Sequence, residues 1–207
     1  MRKISRDTLP HLVNCLIHMA GRRWYTFWAR LFTAWWGVSL GRGCFFYGLP
    51  NFRRHPGSRI IIADNCEFRS NNTSNLIGIN HPCMISTLRE GATIKIGANC
   101  GFSGTVIGCA TRIVFGDNVQ CGANTLITDT DWHTEDPRTG PDAPVTIEKG
   151  VWLGVNVTVL KGVTIGENTL VAAGSLVTHS LPANVVAGGV PAKVLKQIDV
   201  NQPGAKR

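Results

Sequence analysis

The chain has 207 residues, of which 43% are apolar and only 16% charged. That balance excludes a disordered chain and leaves room for one domain with a tail. Its 23 glycines, with frequent Val, Ile, Thr and Asn, favour strands and turns over a helical bundle. The net charge of +8 is unevenly placed: residues 1–60 hold ten Lys/Arg against one acid, Asp7, and the other 147 residues hold eleven bases and twelve acids. Only the N-terminal part is basic, so the body is not a polyanion binder and no nucleic acid partner is expected.

The chain opens with residues 1–36, where Leu12, Val13, Leu16, Ile17 and Ala20 have helical spacing. Trp24, Tyr25, Phe27, Trp28, Leu31, Phe32, Trp35 and Trp36 follow, interleaved with Arg22, Arg23 and Arg30. This is an aromatic, basic, helical lead-in. Two roles are open to it: capping the end of a repeat structure, which every solenoid needs, or peripheral contact with an anionic membrane face. The longest uncharged apolar-rich run there, Leu31–Gly41, is far short of the roughly 20 residues a membrane span requires.

From residue 40 a corner motif recurs: Leu40-Gly-Arg-Gly-Cys44, Ile62-Ala-Asp-Asn-Cys66, Ile96-Gly-Ala-Asn-Cys100 and Phe115-Gly-Asp-Asn-Val119. It continues at Ile147 and Ile165, so the intervals between starts are 22, 34, 19, 32 and 18 residues. Asn65, Asn99, Asn118 and Asn168 suit positive φ at these turns. The interval of 34 implies an insertion within 69–90, and the interval of 32 contains a large excursion over 128–145, rich in Asp, Pro and Gly. Long loops thrown out of a rigid repeat are usually functional.

From Ile147 the period is six without a break: Ile147, Leu153, Val159, Ile165, Val171 and Val177 are all aliphatic. Each hexapeptide makes one short strand and one turn, the aliphatic side chain points inward, and three hexapeptides make one coil of 18 residues. The expected organisation is a lead-in over 1–36, a parallel all-β solenoid over 37–187, and a basic segment and tail over 188–207. Pro191 is placed to open a short C-terminal helix.

Seven cysteines (Cys15, Cys44, Cys66, Cys83, Cys100, Cys109 and Cys121) show neither CxxC nor zinc spacing, and their number is odd. They read as free thiols of a reducing cytosol. With no secretory signal evident, a cytoplasmic protein is expected, possible membrane contact being peripheral.

Val151-Trp-Leu-Gly-Val-Asn156, Val163-Thr-Ile-Gly-Glu-Asn168, Ala173-Gly-Ser-Leu-Val-Thr178 and Val186-Ala-Gly-Gly-Val-Pro-Ala-Lys-Val194 carry a resemblance. Over roughly 40–195 the chain resembles hexapeptide-repeat acyltransferases, in the branch of galactoside and maltose acetyltransferases and bacterial polysaccharide O-acetyltransferases. The resemblance implies a left-handed parallel β-helix, a homotrimer with active sites between neighbouring prisms, and acetyl-CoA as co-substrate with no metal required. It implies a sugar or glycan acceptor.

His133-Thr-Glu-Asp136-Pro137 matches the His-x-x-Asp-Pro context in which many relatives carry a catalytic histidine. The chemistry needs such a group, because a hydroxyl attacking a thioester must lose its proton and imidazole titrates near neutrality. Asp131 or Glu135 is a candidate to orient the ring. Acceptor-binding candidates are Ser103, Thr105, His81 and Asp129, with Ser103 read equally as a turn residue and His81 read first as one. The resemblance implies cofactor contacts at Gly154, Val155, Ala173 and Thr178, with Lys193 and Lys196 toward the phosphates. His179 stands where relatives often carry Lys. The other readings are a non-catalytic repeat scaffold and a zinc enzyme. The latter needs three His ligands, which the spacing of His81, His133 and His179 does not support.

Overall fold

The computed structural model describes residue 6, residues 8–133 and residues 135–199. A helix, α1, runs over Leu9–Trp35 with a proline in its first turn, where the missing N–H has no helical partner to lose. Ala29 and Thr33 are buried on the prism side, with Tyr25 and Trp36 partly buried beside them. Thr26 Oγ1 accepts the N–H of Phe46 at 3.1 Å. The helix therefore covers the open end of the first coil and satisfies one of the backbone donors there, as an end cap must.

Beyond α1 the chain visits three parallel sheets in rotation. The first face holds Ser39–Leu40, Arg59–Ile62, Thr93–Ile96, Arg112–Phe115, Val145–Ile147 and Thr164–Ile165. The second begins with Phe45–Tyr47, Glu67–Arg69 and Gly101–Ser103, and continues with Gln120–Cys121, Trp152–Leu153, Leu170–Val171 and Val185–Gly189. The third holds Asn51–Arg53, Met84–Thr87, Val106–Cys109, Leu126–Thr128, Thr158–Val159 and Leu176–Val177. Each circuit adds one strand to each sheet, so a given position stacks on its counterpart one coil away.

The register puts like on like. Leu40, Ile62, Ile96, Phe115, Ile147 and Ile165 pair in succession on the first face. Phe52, Ile85, Ile107, Ile127, Val159 and Val177 do so on the third. On the second face the rings of Phe46, Phe68 and Phe102 stack with centroids 5.1 Å apart at each step, close to the spacing between paired strands. The six hexad residues from Ile147 to Val177 are fully buried. Asn65, Asn99, Asn118 and Asn168 all have positive φ, and Asn124, Asn156 and Asn184 join them. Asn accepts this conformation more readily than other side chains, which lets the chain turn each corner.

The C-terminus differs from the expected helix. Ala192–Gln197 is a strand, paired antiparallel with Val185–Gly189. The last strand of the second face offers an unpaired edge of backbone groups, and a hairpin through Gly189 at φ +104° fills it. A proline's aptitude for the first turn of a helix is a local preference that this edge overrides.

Candidate functional site

The excursion leaves the third face after Thr128 and rejoins the first face at Val145. Its base is fixed by Asp129, which is fully buried. One carboxylate oxygen accepts the N–H of Ala110 at 2.6 Å. The other accepts Thr111 N, Thr111 Oγ1 and Arg112 N at 2.7–2.8 Å. Asp129 is therefore not an acceptor-binding residue: its carboxylate is spent inside the chain, holding the turn one coil below. Its carbonyl also accepts from Ala143 N at 3.0 Å, closing the neck of the loop.

Above the neck, Lys161 Nζ donates to Asp131 Oδ2 at 2.5 Å and to the Gly140 carbonyl at 2.7 Å. Asp131, one of the two candidates to orient His133, pairs through Oδ2 with this lysine. On the far limb Arg89 pairs with Asp142 at 2.8 Å. Trp132 has φ +67°, an unusual backbone conformation for so bulky a residue, and its N–H donates to Thr130 Oγ1 at 3.2 Å. The indole folds back onto the third face over Gly108.

His133 follows directly and is exposed. Its carbonyl accepts from Asp136 N at 3.1 Å and Thr139 Oγ1 at 3.2 Å, which turns the chain back behind the imidazole. Arg138 clamps the Asp136 carboxylate through Nε and Nη2, and this contact holds the carboxyl below the ordinary range. Glu135 is exposed in the same turn.

The remaining candidates divide between two edges of the prism. His133, Asp131 and Glu135 lie at the edge between the third and first faces, as do Thr178 and His179, whose Oγ1 and Nδ1 are 2.8 Å apart. Ser103, Thr105 and His81 lie at the edge between the second and third faces, with Gly154, Val155 and Ala173 further along it. Thr105 is fully buried, with its hydroxyl accepting from Thr125 at 3.0 Å. It props the corner from inside and is no acceptor ligand. Ser103 is also buried, and its hydroxyl accepts from Asn75 Nδ2 at 3.2 Å. His81 Nδ1 lies 3.2 Å from the carbonyl of Pro82.

The inserted loop carrying Asn75 and His81 is pinned by Asn124, which accepts Asn80 N at 2.9 Å and donates to the Gly78 carbonyl at 3.1 Å. At Gly154 the next coil comes so near that an added Cβ would stand 2.6 Å from Ala173 N, so only glycine keeps this corner flat. Lys193 and Lys196 are exposed on the terminal hairpin.

The sequence reading missed Lys161, Trp132, Gly108, Asn75 and Asn124. Each acts across coils, and nothing in its local pattern marks it. Among the described residues no group of three or more His, Cys, Asp or Glu side chains is placed to hold a metal ion.

Residues 144–179 match the bacterial transferase hexapeptide family (six repeats). The chain is similar to galactoside O-acetyltransferase of Escherichia coli (strain K12), with 39% identity over 115 residues covering 53% of this chain and 56% of that protein. It is 45% identical over 94 residues to the galactoside O-acetyltransferase of Lactococcus lactis, covering 43% of this chain and 45% of that one. The 2,3,4,5-tetrahydropyridine-2,6-dicarboxylate N-acetyltransferase of Shouchella clausii is 61% identical over 62 residues, 30% of this chain and 26% of that one. The chain thus spans about half the length, or less, of these curated relatives.

Among solved structures it resembles a mutant of AntD, an N-acyltransferase from Bacillus cereus in complex with dTDP-4-amino-4,6-dideoxyglucose and coenzyme A. The TM-score is 0.59 at 20% identity, over 78% of this chain and 84% of that one. That likeness is one of fold, and with the repeat match it fits a left-handed parallel β-helix.

Proposed function

We propose that this protein is an acetyl-CoA-dependent O-acetyltransferase that modifies a sugar hydroxyl during surface polysaccharide or lipopolysaccharide assembly. The observation that carries the reading is the loop 129–144. A buried carboxylate, a lysine clamp and a seated indole converge to present one exposed imidazole, His133, at an edge of a rigid stack. The longer matches, to galactoside O-acetyltransferases, favour a hydroxyl acceptor over an amine.

In the proposed reaction His133 takes the proton of the acceptor hydroxyl as its oxygen attacks the thioester carbonyl of acetyl-CoA. The tetrahedral intermediate collapses, the C–S bond breaks, and the imidazolium returns the proton to the leaving CoA thiolate. The products are the O-acetyl sugar and CoA. Exposed Lys193 and Lys196 suit the phosphates of the donor, and the flat corner at Gly154 and Ala173 gives its pantetheine arm access to backbone groups. Asn75 and His81 on the inserted loop, with Ser103 below them, serve the acceptor.

Gly154, Ala173, Asn75, His81 and Ser103 lie toward a different edge from His133, so the proposed site is divided between two edges of the prism. A homotrimer that sets one edge against the neighbour's other edge completes it. The test is CoA release from acetyl-CoA with a panel of sugars, nucleotide-sugars and isolated glycans, for the wild type and His133→Ala. Acceptor-dependent release lost by about 100-fold or more in the variant supports general-base catalysis; equal release in both removes His133 from that role.

A further inference from the structure

Opposite the face that caps the prism, α1 carries an unbroken apolar stripe. Leu9, Val13, Leu16, Ile17, Trp24, Phe27, Leu31 and Trp35 recur at helical spacing and are all exposed, Trp24 at 61% and Trp35 at 85%. At 1.5 Å per residue the helix is about 40 Å long. Exposed apolar patches of such extent mark an interaction surface. The helix contains no Asp or Glu, and its arginines lie beside the stripe. Arg22, Arg23 and Arg30 line a recess with Phe27 and Phe45, and Arg22 stands 4.5 Å over the Phe45 ring. Among the described residues no carboxylate pairs with any of these three.

We propose that this face docks the protein onto an anionic lipid bilayer, with the stripe in the interfacial zone and the arginine recess against lipid phosphates. The charge decides the occupant. A second copy of the same segment would bring two strongly basic surfaces together, whereas an anionic bilayer complements the arginines and accepts the tryptophans at headgroup depth. No described helix is long and apolar enough to cross a membrane, and α1 lies across the end of the prism, which suits a helix lying in the membrane plane. The His133 loop leaves the fourth strand of the third face, three strand spacings or about 14 Å above the first. Docking therefore holds that loop within reach of a lipid-linked acceptor. Only this last consequence rests on the proposed activity.

The test is flotation of the full chain with vesicles of phosphatidylcholine alone or with about one third phosphatidylglycerol, for the wild type and two variants. The wild type should float with the anionic vesicles, with a blue-shifted tryptophan emission. Trp24→Ser/Trp35→Ser should weaken binding about tenfold or more. Arg23→Gln/Arg30→Gln should weaken it roughly fivefold per arginine at low salt. Circular dichroism of each variant checks that the fold persists, since all four side chains are exposed. No flotation, or flotation indifferent to the tryptophan pair, overturns the proposal. So does self-association beyond the wild-type oligomer that the tryptophan variant dissolves, which would assign the stripe to a second copy. Loss of acetyl transfer in solution without vesicles would bear on the activity and not on docking.

Discussion

The indole of Trp132 occupies the space that a side chain at Gly108 would fill: a Cβ added at Gly108 would stand 2.5 Å from Cζ2 of Trp132. Gly108 sits on a strand with ordinary φ, so its value lies in the room it leaves and not in backbone freedom. The seated ring fixes the backbone one residue before His133. Gly108→Ala should push the half-exposed indole off the third face and let the imidazole wander. We expect acceptor-dependent CoA release to fall roughly 10- to 100-fold, since small misplacements are that damaging. Folding stability should change by only about 1 kcal/mol. Kinetics beside a urea melt separate the two, and unchanged kinetics would show that the ring does not position the histidine.

Asp129 tests the base of the loop. Asp129→Ala removes the acceptor of three backbone N–H groups, those of Ala110, Thr111 and Arg112. Leaving the buried Ala110 N–H unpaired, with those of half-buried Thr111 and exposed Arg112 turned to water, should destabilise the fold by about 1–3 kcal/mol, visible as a shifted denaturation midpoint. A midpoint within error of the wild type would mean that the turn finds other acceptors.

Lys161 ties both limbs of the loop through Asp131 and Gly140. Lys161→Met should lower activity while reducing stability by only about 1 kcal/mol, because Asp131 remains partly exposed. Adding Asp131→Asn should then change little more, since the pair acts as one unit. Additive losses would separate the two residues.

The thiols give a pH prediction. Cys44, Cys66 and Cys100 stack at one corner. Hydrogen bonding along this row, then burial, raises the Cys44 thiol and lifts Cys66 from its ordinary 9.0 to about 12. Burial, followed by the charge of Asp129, raises Cys109. The folded state keeps these protons after the unfolded chain releases them. The stability is thus fully present below about pH 9 and is lost as pH rises from there toward 12. Native protein should show one thiol readily reactive at neutral pH, the half-buried Cys15, and all seven after unfolding. Rapid modification of several thiols in native protein would contradict the burial described.

The repeat was legible because its determinants are local and periodic. An inward aliphatic every sixth residue and an Asn at the corners are visible in one dimension, and they recur as the buried ladders and positive-φ turns. The loop boundaries were legible for the same reason, as interruptions of the period. The site was less so. Asp129 and Thr105 are polar residues beside a loop and read as ligands, yet both face inward to donors and acceptors on neighbouring coils. Asp131 looked free to meet His133 because Lys161, 30 positions away, brings no local signal. The terminal strand was missed because the edge it fills exists only after the coils have stacked.

The most direct measurement of the central claim is the pH-rate profile of acceptor-dependent CoA release for the wild type and His133→Ala, each checked for CoA binding. With His133 as the base, the wild type loses activity on the acid side, as general-base catalysis requires, and the variant retains CoA binding but loses about 100-fold or more of its rate, with that acid limb gone. A variant that keeps both its rate and its acid limb would contradict the assignment of His133 as the base.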